Sequence, residues 1–219
     1  MSLQLFFHPF SSYSQKALIA LYENATPFTA RVLSPEDPAT GAEFAALSPL
    51  GKFPVLRDGD RTILEASAVI EYLEAAHPGP VRLIPADPLA AVDVRMMDRM
   101  FDNYVSTPQQ KLVYDALRAP DARDAQGVTD ARAMLETAYA WLDLRMADRQ
   151  WACGDAFSLA DCAAAPSLFY ADWSHRISDR FAHLLAYRAR LLARPSFARA
   201  VDAARPFRAY FPLGAPDRD

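Results

Sequence analysis

The chain has 219 residues, 52% of them hydrophobic and 23% charged, which suits a folded chain of one or two domains rather than a disordered one. A net charge of −4 argues against a nucleic-acid binder or a polybasic membrane-surface protein. No apolar run approaches the ~18 residues of a membrane span, the start MSLQLFFHPF lacks a signal peptide's basic head, and Cys153 and Cys162 have no metal-ligand or disulfide partners, so a cytoplasmic protein without a metal is expected.

Leu3 to Phe7 reads as a buried strand, broken by Pro9 and a run of serines. Gln15 to Glu23 follows as a helix with Ala17, Leu18 and Leu21 on one face. Phe28 to Leu33 alternates like a strand, and Pro35 to Leu47 reads as a second helix. Two short strands, Pro54–Arg57 and Arg61–Leu64, meet at Asp58-Gly59-Asp60, a hairpin signal because glycine accepts positive φ without steric cost. Val69, Ile70, Leu73 and Ala76 form the apolar stripe of a closing helix. The order β-α-β-α-β-β-α combines a parallel pair with a hairpin, so the sheet should be mixed and four-stranded.

Pro78, Pro80, Pro85 and Pro88 then mark a seam that neither a helix interior nor a central strand tolerates. The first 80 residues carry five basic and nine acidic side chains, and the remainder carries eighteen of each. The expected division is an α/β domain over 1–78, a linker over 79–89 and an all-helical domain over 90–219. Helices are expected at 88–118, 128–149, 159–173, 180–193 and 195–205, the first kinked by Pro108. Ser158 and Asp161 have the spacing of a capping box ahead of the apolar helix that starts at Leu159.

Three short segments carry the candidate chemistry. Ser11-Ser12-Tyr13-Ser14 stands where a thioredoxin-like fold keeps its Cys-x-x-Cys, and hydroxyls there exclude dithiol redox work. A serine at that helix start can donate to a sulfur and favour thiolate over thiol, or it can simply cap the helix. A cis bond at Phe53–Pro54 would leave the Phe53 backbone free to pair with a ligand's peptide; a trans proline at a strand start is the plainer alternative. Glu65-Ala66-Ser67 opens the closing helix, where free N–H groups suit a carboxylate and Glu65 suits an ammonium, although an ordinary helix start has the same composition.

In combination, HPFSSYSQKALIAL, GKFPVL, LEASAVIEYL and FSLAD resemble the cytosolic glutathione transferases over nearly the whole chain and in the right order. The resemblance implies a thioredoxin-like domain followed by a helical one, a homodimer, glutathione as co-substrate, and conjugation to an apolar electrophile of the kind cleared in detoxification. It makes Ser11 the catalytic hydroxyl of a serine-type enzyme, nearest the zeta- and theta-like bacterial members, because Phe7 stands where tyrosine-type enzymes carry their hydroxyl. Lys52, Phe53, Pro54, Glu65, Ala66 and Ser67 fall on the family's glutathione-binding positions, with Phe53 pairing the cysteinyl backbone and Glu65 with residue 66 holding the γ-glutamyl group. Phe10, Met100 and Tyr104 are the expected electrophile pocket.

The chain departs from the family pattern at Ala66, usually a hydroxyl residue, and at Trp173, where the zeta class has a substrate-binding arginine. A non-catalytic binding or regulatory module on the same fold, or a glutathione-dependent isomerase or peroxidase, are the alternative readings.

Overall fold

The computed structural model describes residues 3–219; Met1 and Ser2, where the first expected domain begins, lie outside them. Strand β1 (Leu3–Phe7) leads into helix α1 (Ser12–Glu23), strand β2 (Phe28–Val32), helix α2 (Pro38–Leu47), the hairpin β3 (Val55–Asp58) and β4 (Arg61–Ile63), and helix α3 (Ala66–Ala76). The strands form one mixed sheet in the order β2-β1-β3-β4. β1 runs parallel to β2 and antiparallel to β3, as the βαβ unit and the hairpin require. Gly59 takes φ +58° in the two-residue turn, and the register closes with Asp58 opposite Arg61.

Helix α1 begins three residues earlier than the apolar periodicity suggests, because Ser11 caps it by accepting the Ser14 N–H at 3.3 Å. From Pro88 onward the described chain is helical: α4 (Pro88–Phe101), α5 (Thr107–Ala116), α6 (Ala125–Arg145), α7 (Leu159–Ser174), α8 (Ala182–Leu192) and α9 (Pro195–Ala204), with short 3₁₀ turns between some of them.

The expected single kinked helix over 88–118 is instead two α-helices joined by a π-helical segment, Asp102–Ser106. Pro108 has no N–H to offer the carbonyl four residues before it, and its ring crowds that carbonyl. The chain widens by one residue per turn, and the Thr107 N–H bonds the Asp102 carbonyl five residues back.

Helix α1 is the axle of the molecule, packed on α3, α7 and α9. Near its start, Lys16 lies 1% exposed with its ammonium 2.6 Å from Asp98 of α4 and 2.7 Å from Asp102. At its end, Glu23 accepts both arms of Arg194 at 2.7 and 2.6 Å. Breaking a buried pair of the Lys16–Asp98 kind typically costs ~3–5 kcal/mol, because the surviving charge is left unpaired. The two clusters therefore join the sheet layer to the helical layer at both ends of α1.

Candidate active site

The sheet register gathers the three sequence-marked segments at one end. Phe6 of β1 lies opposite Val55 of β3, and Leu56 of β3 opposite Ile63 of β4. Continued past the ladders, these registers carry the chain after β1 and the chain after β4 to either side of Pro54. The Ser11 loop, the Phe53–Pro54 segment and the start of α3 thus share that end of the sheet.

In the first segment, His8 holds the turn that presents Ser11. Its carbonyl accepts the Ser11 N–H at 3.0 Å and its Nδ1 accepts the Phe10 N–H at 3.2 Å. Burial lowers the His8 imidazole below its usual 6.5, consistent with a neutral ring whose Nδ1 is an acceptor. Ser11 is half-buried; its oxygen receives the Ser14 N–H, which leaves its own proton free to be donated. Tyr13 follows two residues on. Burial and the nearby charges of Asp102 and Glu65 push its hydroxyl up to about 12, so it stays protonated.

The second segment contains a cis Phe53–Pro54 peptide bond. Ser48 ties the loop before it by donating to the Lys52 carbonyl at 2.8 Å and accepting the Lys52 N–H at 3.2 Å. Among the described residues, neither the N–H nor the C=O of Phe53 has a hydrogen-bond partner. The Lys52 side chain is exposed.

The third segment is the most distinctive. Glu65 has φ +68° and ψ +123°, a region that non-glycine residues rarely occupy and that costs of order 1–3 kcal/mol. It precedes α3 without capping it, so the N–H groups of Ala66, Ser67 and Ala68 begin the helix without a side-chain acceptor while the exposed Glu65 carboxylate stands beside them. Strained backbone, free donors and a free carboxylate at one point suit a zwitterion with a carboxylate and an ammonium.

Ser67 behaves differently from its neighbours. Its hydroxyl donates to Asp98 at 2.8 Å and accepts from Lys16 at 2.9 Å and Arg99 at 3.2 Å. With one proton and two lone pairs committed, the hydroxyl has nothing left for a ligand, and only the Ser67 N–H remains available.

The expected electrophile residues divide. Phe10 lines a cleft with Tyr170, Trp173, Arg205, Arg208 and Asp219, and neither Met100 nor Tyr104 reaches it. Met100 is half-buried against the core, and Tyr104 is 43% exposed within the π-helical segment. Aromatic side chains of α7 stand beside Phe10, with its ring 5.5 Å from Tyr170 and 6.5 Å from Trp173.

Sequence reasoning missed Lys16, Asp98 and Asp102. The available signal was Lys16 itself, an ammonium in the apolar register of α1, together with two aspartates four residues apart on the first long helix.

The comparisons bear on this arrangement. The profile "Glutathione S-transferase, N-terminal domain" matches residues 5–81, and "Glutathione S-transferase, C-terminal domain" matches residues 120–190. The chain is 27% identical over 207 residues to glutathione S-transferase GstA of Escherichia coli O157:H7, covering 92% of this chain and 98% of that one. It resembles the glutathione S-transferase of Methylobacillus flagellatus KT, solved with GSH bound, with a TM-score of 0.81 and 25% identity, covering 91% of this chain and 98% of that one. It also resembles a glutathione S-transferase of Methylobacterium radiotolerans, solved in complex with glutathione sulfonate, at a TM-score of 0.79 and 30% identity, covering 92% of this chain and 95% of that one.

Proposed function

The chain belongs to the glutathione S-transferase family, and from that premise we propose that it binds glutathione and transfers its sulfur to an apolar electrophile, with Ser11 as the catalytic hydroxyl. The observation that carries the reading is the start of α3, where a strained, exposed Glu65 adjoins uncapped N–H donors.

In this reading the γ-glutamyl carboxylate lies on the N–H groups of Ala66 and Ser67, and its ammonium faces Glu65. The cysteinyl peptide of glutathione pairs with the free N–H and C=O of Phe53, beside Pro54, and Lys52 stands at the rim to meet the remaining carboxylate. The thiol then falls at the Ser11 loop, since the three segments share one end of the sheet.

Ser11 donates its free proton to the sulfur, and the start of α1 adds its partial positive charge. Both favour thiolate over thiol. The thiolate's lone pair forms the new carbon–sulfur bond, and the electrophile's leaving group departs with its bonding pair, or a conjugated acceptor takes a proton from water. The protein's work is to bind, orient and ionise.

A homodimer is part of the proposal. Leu89, Val92 and Met96 recur on one exposed face of α4 at 77%, 58% and 45% exposure, and such an apolar stripe suits a copy of itself.

Retention on immobilised glutathione followed by turnover of a generic electrophile tests the reading. Binding together with conjugation supports it. Failure to bind glutathione at millimolar concentration rejects it, and binding without turnover replaces the enzyme with a glutathione-binding module.

A further inference from the structure

After α9 and the 3₁₀ turn Arg205–Tyr210, residues 211–219 fold back against the molecule. Phe211 is buried with its ring 5.4 Å from Trp173 and 6.4 Å from Tyr170. Arg218 donates to both the carboxylate and the carbonyl of Asp172 in α7. Asp219 lies between two guanidiniums, Arg205 at 2.5 Å and Arg208 at 3.1 Å, and Arg208 also donates to the carbonyls of Pro216 and Arg218. The segment 211–219 is thus strapped across the cleft that Phe10 lines.

That cleft has two unlike ends. Its wall is aromatic, made by Phe10, Tyr170 and Trp173. Its rim is cationic, made by Arg205 and Arg208, with the Arg208 guanidinium 4.8 Å from the centre of the Trp173 ring. Trp173 is 8% exposed and, among the described residues, its indole N–H has no acceptor, although it lines the cleft. Connected ion pairs set Arg188, Arg205, Arg208 and Arg218 against Asp172, Asp202 and Asp219, so the rim guanidiniums are held by exchangeable carboxylate contacts. An aromatic face, an unmatched buried donor and paired guanidiniums recognise an aromatic body that ends in an anionic group.

We propose that this cleft binds an aromatic ligand bearing a carboxylate or sulfonate, and that Asp219 is a tethered stand-in for that anion, displaced when the ligand arrives. A tethered carboxylate competes at the effective concentration its short tether sets, so the strap tunes affinity and favours ligands with an anion to exchange for it. Phe10 immediately precedes Ser11, so a ligand stacked on Phe10 lies against the proposed catalytic loop. As a statement about the electrophile this rests on the transferase reading. As a statement about binding it stands without it.

The test is calorimetric titration of the full chain with naphthoate and with its neutral isostere naphthamide, in the absence of glutathione. Naphthoate should bind at least about tenfold more tightly than naphthamide, since only the carboxylate can take the place of Asp219 on the guanidiniums. Asp219→Asn should raise naphthoate affinity about fivefold to tenfold and leave naphthamide unchanged, because it removes the competitor and keeps the shape. Arg205→Gln, at a half-exposed side chain, should weaken naphthoate at least about threefold and spare naphthamide, with an unchanged melting temperature showing that the fold is intact. Equal binding of the two probes, no binding of either at millimolar concentration, or an Asp219→Asn variant that binds naphthoate no better overturns the proposal. A chain that binds naphthoate but not glutathione keeps this site and loses the transferase reading, and the converse result keeps the transferase and loses this site.

Discussion

Ala66 is where the chain departs from its family at a position the proposed ligand would touch. In the structure it opens α3 with only a backbone N–H to offer, and Ser67 cannot compensate because its hydroxyl is saturated by Asp98, Lys16 and Arg99. Ala66→Ser restores a donor aimed at a carboxylate. A hydrogen bond to a charged group is worth ~1.5–3 kcal/mol, so glutathione affinity measured by calorimetry should rise roughly tenfold or more. An unchanged affinity would mean the carboxylate sits elsewhere. His8 makes a second prediction at this scale. Burial holds its folded-state pKa below 6.5, so the unfolded chain takes up the proton first as pH falls. The stability this group supplies is complete above 6.5 and is lost as pH drops through the lower folded value. Protonation also removes the acceptor for the Phe10 N–H, loosening the turn that presents Ser11. Melting curves below pH ~6.5 should therefore fall less steeply for His8→Asn than for the wild type, and parallel curves would remove His8 from the account.

Among the elements, α7 depends most on one side chain. Asp161 accepts the N–H and the hydroxyl of Ser158 at 2.9 and 3.0 Å, the Ala152 N–H at 2.9 Å and the Tyr187 hydroxyl at 2.6 Å. The capping box that the Ser158/Asp161 spacing announces is present, but the sequence reveals only the local half of its duty. Ala152 and Tyr187 come from other segments and are invisible to a spacing argument. Burial raises the Asp161 pKa while these donors oppose the shift, so the group is held by its partners rather than by water. Asp161→Ala strands several buried donors and should cost about 3 kcal/mol, a melting-temperature drop of roughly 6–12 °C, with glutathione affinity of the folded fraction unchanged. A drop under about 2 °C would make the cap dispensable. The π-helical segment is the complementary case. Pro108 announces a disruption, but a kink and a widened turn have the same sequence signature, and the Thr107-to-Asp102 bond distinguishes them only in three dimensions.

At the scale of the whole molecule, the order of elements and the mixed four-stranded sheet followed from alternation and one Asp-Gly turn, and the candidate site's three segments were legible as motifs. What joins the two layers was not. Lys16 meets Asp98 and Asp102 more than eighty residues away, and the strap that ends at Asp219 carries no periodicity or motif at all. Their meaning comes from long-range charge pairing, which a local pattern does not encode. The exposed α4 stripe bears on assembly. Val92→Glu with Met96→Glu places charge on a face that a dimer would bury, and sedimentation should shift from a dimer to a monomer with little change in helical content. A wild type that sediments as a monomer, or a variant that sediments like a dimeric wild type, would remove this face from the proposed interface. The claim on which the rest depends is that Ser11 holds the glutathione sulfur as thiolate at neutral pH. Its most direct measurement is a pH titration of the thiolate's ultraviolet absorbance in the glutathione complex, for the wild type and for Ser11→Ala. The account predicts a bound-thiol pKa about two units below that of free glutathione, equivalent to ~2.7 kcal/mol, which returns most of the way in Ser11→Ala with glutathione still bound. A thiolate that titrates identically in both proteins would contradict it.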